Sequence, residues 1–127
     1  MHFPAFRNEP LTDFSRPENR SAMEAALAKV RSQLGREYSL RIGGETAHTG
    51  QALRSLNPSH PSQVVGVHAA ADAELARRSI TAAHEYFPCW AGRPAAQRVQ
   101  VLASTARILR ERKHEFSAWM VYEVGKT

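Results

Sequence analysis

The sequence predicts an α+β fold: three to four helices with a small antiparallel hairpin sheet. Three observations carry this expectation. Apolar residues recur at three- and four-residue steps in three separated stretches, the period of an amphipathic helix. Tyr38, Leu40 and Ile42 alternate with Ser39 and Arg41 and run into Gly43-Gly44, the pattern of a half-buried strand entering a tight turn. Val64, Val65 and Val67 gather β-branched side chains, which suit a pleated surface.

Taken in order, residues 1–14 carry two prolines and no periodicity, and read as an extended arm. Ser15-Arg16-Pro17-Glu18 has the form of a capping box, with the Ser15 hydroxyl accepting from the Glu18 amide and the Glu18 carboxylate reaching back. Pro17 fits the first turn, where its missing N–H has no partner to lose. Met23, Leu27, Val30 and Leu34 then form one stripe, and Gly35 supplies the stop. The strand from Tyr38 to Ile42 returns through Thr46 and His48. Thr49-Gly50 is a turn, and Ala52 to Leu56 a further strand. Asn57-Pro58-Ser59-His60-Pro61 is expected to lie outside regular structure, since each proline also restricts the residue before it. After the valine strand, Asp72 is placed to cap a helix whose stripe is Ala76, Ile80, Ala83 and Phe87, with Pro88 ending it. Pro94 opens the next helix, carried by Val99, Leu102, Ala106 and Leu109, with a bend expected before Phe116. Phe116, Trp119, Met120 and Val124 make a broad apolar surface that ends at Gly125. Such a surface calls for further partners, and the pattern reads as interrupted.

Composition narrows the function. The chain has 127 residues, a net charge of +5 and one cysteine. A single cysteine rules out a disulfide framework and fits a reducing, cytoplasmic setting. The longest apolar runs, such as Ala118 to Tyr122, are far short of the ~20 residues of a membrane span. The N-terminus lacks the basic start and apolar core of a secretory signal. The positive charge is spread among Glu24, Glu37, Glu74, Glu85, Glu111 and Glu115, which favours solvated helix faces over a nucleic-acid surface.

No constellation of catalytic residues stands out. Cys89 follows Pro88 at a helix end, and His84 five residues earlier is on a different face, so it reads as an incidental thiol. His2, His48, His60, His68, His84 and His114 include no i, i+4 pair for zinc. Gly43-Gly44 sits between two strands, so it offers no helix N-terminus to a phosphate. Lys126 suits the negative end of a helix dipole, and the aromatic residues Phe116, Trp119 and Tyr122 lie at core spacing rather than as stacking platforms for bases.

The closing segment RKHEF…YEVGK, with Glu123, Gly125 and Lys126, resembles the helix of aldehyde dehydrogenases that ends in Glu-x-Gly-Lys. Its wording is most similar to the L-glutamate γ-semialdehyde (1-pyrroline-5-carboxylate) dehydrogenases. The opening Phe6-Arg7-Asn8-Glu9-Pro10 and the run Phe14 to Arg20 extend the resemblance. So does Asn57-Pro58 with Pro61-Ser62-Gln63-Val64-Val65-Gly66, where Gln63 replaces the usual acid. Gly92 to Gln97 is generic to the superfamily. The resemblance implies an α/β aldehyde dehydrogenase fold, incomplete here, with residues 15–127 as the N-terminal flank of the NAD-binding domain. It implies NAD-dependent oxidation of a small aldehyde to L-glutamate in proline catabolism, by a homo-oligomer when complete. The family's cysteine nucleophile, its glutamate, its oxyanion asparagine and its cofactor turn all lie beyond the matched region. No residue here is therefore carried over as catalytic, cofactor-binding or metal-binding, and neither Cys89 nor Glu123 matches those motifs. Two functions are expected: an enzyme fragment inert by itself, or a non-catalytic module that packs on a full-length dehydrogenase or binds polyanions through Arg107, Arg110, Arg112 and Lys113.

Overall fold

The computed structural model describes residues 5–126. Four helices and five strands follow in the order α1 (Pro17–Arg31), β1 (Arg36–Tyr38), β2 (Leu40–Ile42), β3 (Glu45–Ala47), β4 (Ala52–Asn57), β5 (His60–Ala69), α2 (Ala73–Ala91), α3 (Ala95–Glu111) and α4 (Lys113–Val124). The α+β class read from the sequence holds. The sheet is richer than a hairpin, because β5 is flanked by antiparallel β4 and by parallel β1, while β2 and β3 form a separate antiparallel ribbon.

The core sits between the first and last helices. Val30 of α1 and Ala118 of α4 are fully buried, with Ala26 beside them. Met23, Leu27 and Leu34 close in from the first helix side, and Trp119 and Tyr122 from the last. Ala118 is small enough to let the helices approach, so the long side chains of α1 can lie over its flanks. The Tyr122 hydroxyl donates to the Leu27 carbonyl at 3.5 Å, which gives the ring's polar end a partner at the edge of the seam.

Several local expectations are corrected. The Ser15–Glu18 capping box does not form. Arg16 occupies the N-cap without a side-chain bond, and Ser15 instead donates both its amide (2.9 Å) and its hydroxyl (2.7 Å) to the Asp13 carboxylate. A carboxylate two residues back accepts both donors at once, and this local turn wins over the box. These two bonds, the hydroxyl first, also lower the Asp13 pKa from 3.8. Helix α1 ends at Arg31 rather than near Leu34. The stop residue is correct in kind, since Gly35 takes φ +77° and its amide donates to the Val65 carbonyl at 3.1 Å, turning the chain into the sheet.

The strand expected from Tyr38 to Ile42 is two strands. Up to Tyr38 the backbone pairs with β5, and from Leu40 it pairs with β3, so the extended chain changes sheets at Ser39. The hairpin turn at Gly43-Gly44 is as expected, with φ of +59° and +87°. The Asn57–Pro61 segment is also more regular than its prolines suggest. Strand β4 runs through Asn57, β5 starts at His60, and only Pro58-Ser59 turn. Pro61 is tolerated because β1 reaches no further along β5 than Gly66 and because the β4–β5 register shifts on both sides of Leu56.

Asp72 caps α2 by accepting from the Leu75 amide at 2.8 Å. Pro88 does not end that helix, which continues to Ala91. The proline removes a donor but keeps its carbonyl, which accepts from the Gly92 amide at 2.9 Å. The bend expected before Phe116 is a break at Arg112, with φ −106° and ψ 18°. Helix α4 stops at Gly125, as the sequence indicates, in the left-handed conformation at φ +66°.

That glycine is constrained twice. Beyond its dihedral, a Cβ on Gly125 would sit 3.1 Å from Pro58 Cγ and 3.5 Å from Ser59 Oγ, so the end of α4 rests directly on the β4–β5 turn. A Gly125→Ala substitution is expected to destabilise the chain by about 1–2 kcal/mol, the dihedral and the contact acting in the same direction. Urea midpoints followed by far-ultraviolet circular dichroism test this, with Gly50→Ala as the comparison because a Cβ at Gly50 meets nothing within 4 Å.

Candidate functional site

Where α4 crosses the sheet it leaves a polar cleft of about 340 Å³, lined among others by Gln33, Tyr38, Gly66, His68, Glu115 and Glu123. Its floor is set by strand register. Tyr38 and His68 are direct partners on parallel β1 and β5, and their rings stack with centroids 5.1 Å apart at 15°. Gly66 lies beneath that pair. A Cβ there would come within 3.0 Å of His68 Nε2 and 3.2 Å of Tyr38 Cε2, so any side chain at this position would press on the stack.

The cleft's wall is held by Glu115 in the first turn of α4. Arg112 grips it with two bonds, Nε at 3.1 Å and Nη2 at 2.7 Å, and Lys29 of α1 donates to the same carboxylate at 3.0 Å. The Arg112 hydrogen bonds, followed by the Lys29 bond, hold the Glu115 carboxyl at about 2 against an ordinary 4.5. One carboxylate thus ties the first helix to the last across 86 residues of sequence. Glu123, two turns on, accepts from the Ser55 hydroxyl of β4 at 3.2 Å. The acidic groups of the cleft are engaged by protein donors, which is the chemistry of a brace.

A second brace lies under the β4–β5 turn. Asn57 is 4 % exposed, and both ends of its amide are used. Nδ2 donates to Gln63 Oε1 at 2.8 Å, and Oδ1 accepts from the Ser59 amide at 2.9 Å. Gln63 therefore performs by its carbonyl the accepting role that a carboxylate could take at this position.

Residues weighed as reactive are dispersed. Cys89 is exposed on the last turn of α2, the end of a helix that presents carbonyls rather than N–H donors. His48 Nδ1 lies 3.2 Å from the Ser39 hydroxyl, His68 stacks on Tyr38, and His60, His84 and His114 belong to β5, α2 and α4 respectively. His2 lies outside the described residues. Among the described residues no group of three or more His, Cys, Asp or Glu side chains gathers as a metal site. Nor is any described helix long and apolar enough to cross a membrane. The basic patch considered for polyanions is largely neutralised. Arg107 pairs with Glu111 at 2.7 Å, Arg110 with Glu9 at 2.9 Å, and Arg112 with Glu115.

The Arg112–Glu115 pair joins the break residue to the first turn of α4, two side chains that the sequence reading assigns to solvated surface. Nothing in the sequence pointed to Lys29 or to the Asn57–Gln63 bond, because each depends on which elements the fold brings together.

A helix pair thus flanks a mixed sheet, and the αL glycine after Tyr-Glu-Val is seated on an Asn-Pro turn. The aldehyde dehydrogenase family model covers residues 45–127, and the chain belongs to that family. Its curated relatives include the 1-pyrroline-5-carboxylate dehydrogenase of Geobacillus kaustophilus, 49% identical over 121 residues, which are 95% of this chain and 24% of that protein. The Bacillus subtilis enzyme of the same name is 40% identical over the same coverage. Among solved structures, a 1-pyrroline-5-carboxylate dehydrogenase from Thermus with bound NAD superposes with a TM-score of 0.95 at 44% identity, covering 100% of this chain and 25% of that one. Proline utilization A from Bdellovibrio bacteriovorus follows at 0.92 and 31%, covering 95% and 13%. The chain spans about a quarter of the length of the curated relatives it matches.

The Glu115 brace has a pH signature. Its carboxyl titrates at about 2 when folded and near the ordinary 4.5 when unfolded. The stability it contributes is therefore present above about pH 5 and is lost as the pH falls toward 2. Glu115→Gln is expected to be less stable than the parent at pH 6, with the gap clearly narrower at pH 3 because the carboxyl titrates toward about 2. Urea midpoints at the two pH values, compared between the two proteins, read the Glu115 contribution separately from that of other carboxylates.

Proposed function

We propose that this chain is the N-terminal quarter of an NAD-dependent dehydrogenase that oxidises L-glutamate γ-semialdehyde, in equilibrium with 1-pyrroline-5-carboxylate, to L-glutamate. The observation that carries this reading is the match along the full chain to a 1-pyrroline-5-carboxylate dehydrogenase with bound NAD, at 44% identity and a TM-score of 0.95. Within that enzyme, residues 15–127 flank the NAD-binding domain, and the arm expected over residues 1–14 lies along it from residue 5 onward, residues 1–4 being outside the described residues. The role of this region is mechanical. The α1–α4 seam, the Glu115 brace and the Gly125 seat give the nucleotide fold a rigid shoulder. The nucleophile, the water-activating carboxylate, the oxyanion donor and the NAD-binding turn come from the part of the enzyme outside this chain. The complete enzyme is expected to be a cytoplasmic homo-oligomer.

The alternative of a polyanion-binding module loses its support once Arg107, Arg110 and Arg112 are each paired with a carboxylate.

A chimera tests the proposal. Residues 1–127 replace the corresponding region of the Geobacillus kaustophilus relative, and NADH formation with 1-pyrroline-5-carboxylate is followed at 340 nm. The chimera is expected to keep its activity within about tenfold of that parent, since folds 49% identical tolerate exchange when core volume and pattern are kept. The 127-residue chain alone is expected to give no turnover. A soluble chimera without activity, or turnover by the isolated chain, overturns the reading.

A further inference from the structure

The cleft beside α4 holds more than the Glu115 brace. Glu115, Trp119 and Glu123 recur every four residues along α4, so one stripe of that helix makes the wall. The stacked Tyr38–His68 pair lies on the sheet side, and Gly66 beneath it adds no side chain to the floor. The rings of Tyr38, His68 and Trp119 thus border one space of about 340 Å³, enough for a small organic ion.

Charge along the stripe is lopsided. Glu115 is neutralised by Arg112 and Lys29. Glu123 lies about 12 Å further along the helix axis. Its Oε1 accepts from the neutral Ser55 hydroxyl at 3.2 Å, and among the described residues no Lys, Arg or His pairs with it. Glu123 also sits in the last turn of α4, where the helix dipole adds negative potential. Lys126, close by in sequence, borders a separate groove with Met23 and Met120. The Glu123 end of the cleft therefore attracts a cation, and the aromatic side chains offer that cation ring faces.

The type of cation follows from what the cleft lacks. A primary ammonium or a guanidinium carries several N–H donors that need acceptors once water is shed, and one uncommitted carboxylate cannot serve them all. A quaternary ammonium has no donor, and aromatic faces with a nearby negative charge suffice to hold it. We propose that this cleft binds a small quaternary ammonium compound of the choline type, its methyl groups against Tyr38, His68 and Trp119 and its charge toward Glu123. The inference uses only residues of this chain and stands apart from the dehydrogenase reading.

The test is a titration of choline into the 127-residue chain and, separately, into the covalent chimera, with the N-methyl proton resonance of choline followed by nuclear magnetic resonance. A saturable upfield shift is expected, because the methyl groups lie over ring faces. Glu123→Gln keeps an oxygen for the Ser55 hydroxyl and removes the charge, and it is expected to weaken binding about fivefold. Tyr38→Leu is expected to weaken it as much, with circular dichroism checking that the helices remain, while Lys126→Gln leaves it unchanged. Dimethylbutanol, the neutral analogue with carbon in place of the choline nitrogen, is expected to bind about fivefold more weakly than choline. The absence of a saturable shift with both proteins overturns the inference. So does a Glu123→Gln variant that binds choline as tightly as the parent, and so does a neutral analogue that binds as tightly as choline.

Discussion

The α1–α4 contact is the constraint on which the rest of this structure depends. Two helices from opposite ends of the chain meet at Val30 and Ala118, and the backbone between them must leave and return to that seam. Gly35 turns the chain out of α1 onto β5, and Gly125 ends α4 on the β4–β5 turn. The sheet is thereby held at both edges of the helix pair. The seam is apolar, and one buttress beside it is ionic. Glu115 gathers Lys29 and Arg112, so the same carboxylate that begins α4 also fixes its rotation against α1.

The two segments of sequence with the most specific wording are brought together by this arrangement. The Asn-Pro turn and the Tyr-Glu-Val-Gly-Lys end of α4 are far apart in the chain, and Gly125 has room only because it lacks a side chain facing Pro58. Asn57 stiffens the turn from beneath through Gln63 and Ser59. The wording is therefore explained by contact: each motif is the surface that the other needs.

Much of the fold was legible in the sequence because it is written in local periods. The four helices, the Gly43-Gly44 hairpin, the Asp72 cap and the Gly125 stop each depend on a few adjacent residues. What was missed depends on competition or on distance. Ser15 had two competing partners within reach in principle, the free N–H groups of the helix start and the Asp13 carboxylate, and spacing alone does not rank them. The Tyr38–Ile42 run alternates without interruption, so nothing in it shows that its two halves bond to different neighbours. Pro88 looked like a terminator because a proline's cost to a helix is usually counted from the amide it removes, whereas its carbonyl still closes the last turn. For the candidate site, the absence of a motif was readable, but the Lys29–Glu115 bond was not, since no local signal joins residues so distant in sequence.

The distance between α1 and α4 also has a meaning in time. During synthesis at about 5–20 residues per second, roughly 90 residues must follow α1 before its partner exists, which takes about 5–20 s. Throughout that interval Met23, Leu27 and Val30 have no Ala118 to pack against. The nascent chain thus carries an uncovered apolar helix from its first moments outside the ribosome. The acidic and basic residues interspersed along α1, Glu24 and Lys29 among them, are what keep that waiting helix in solution.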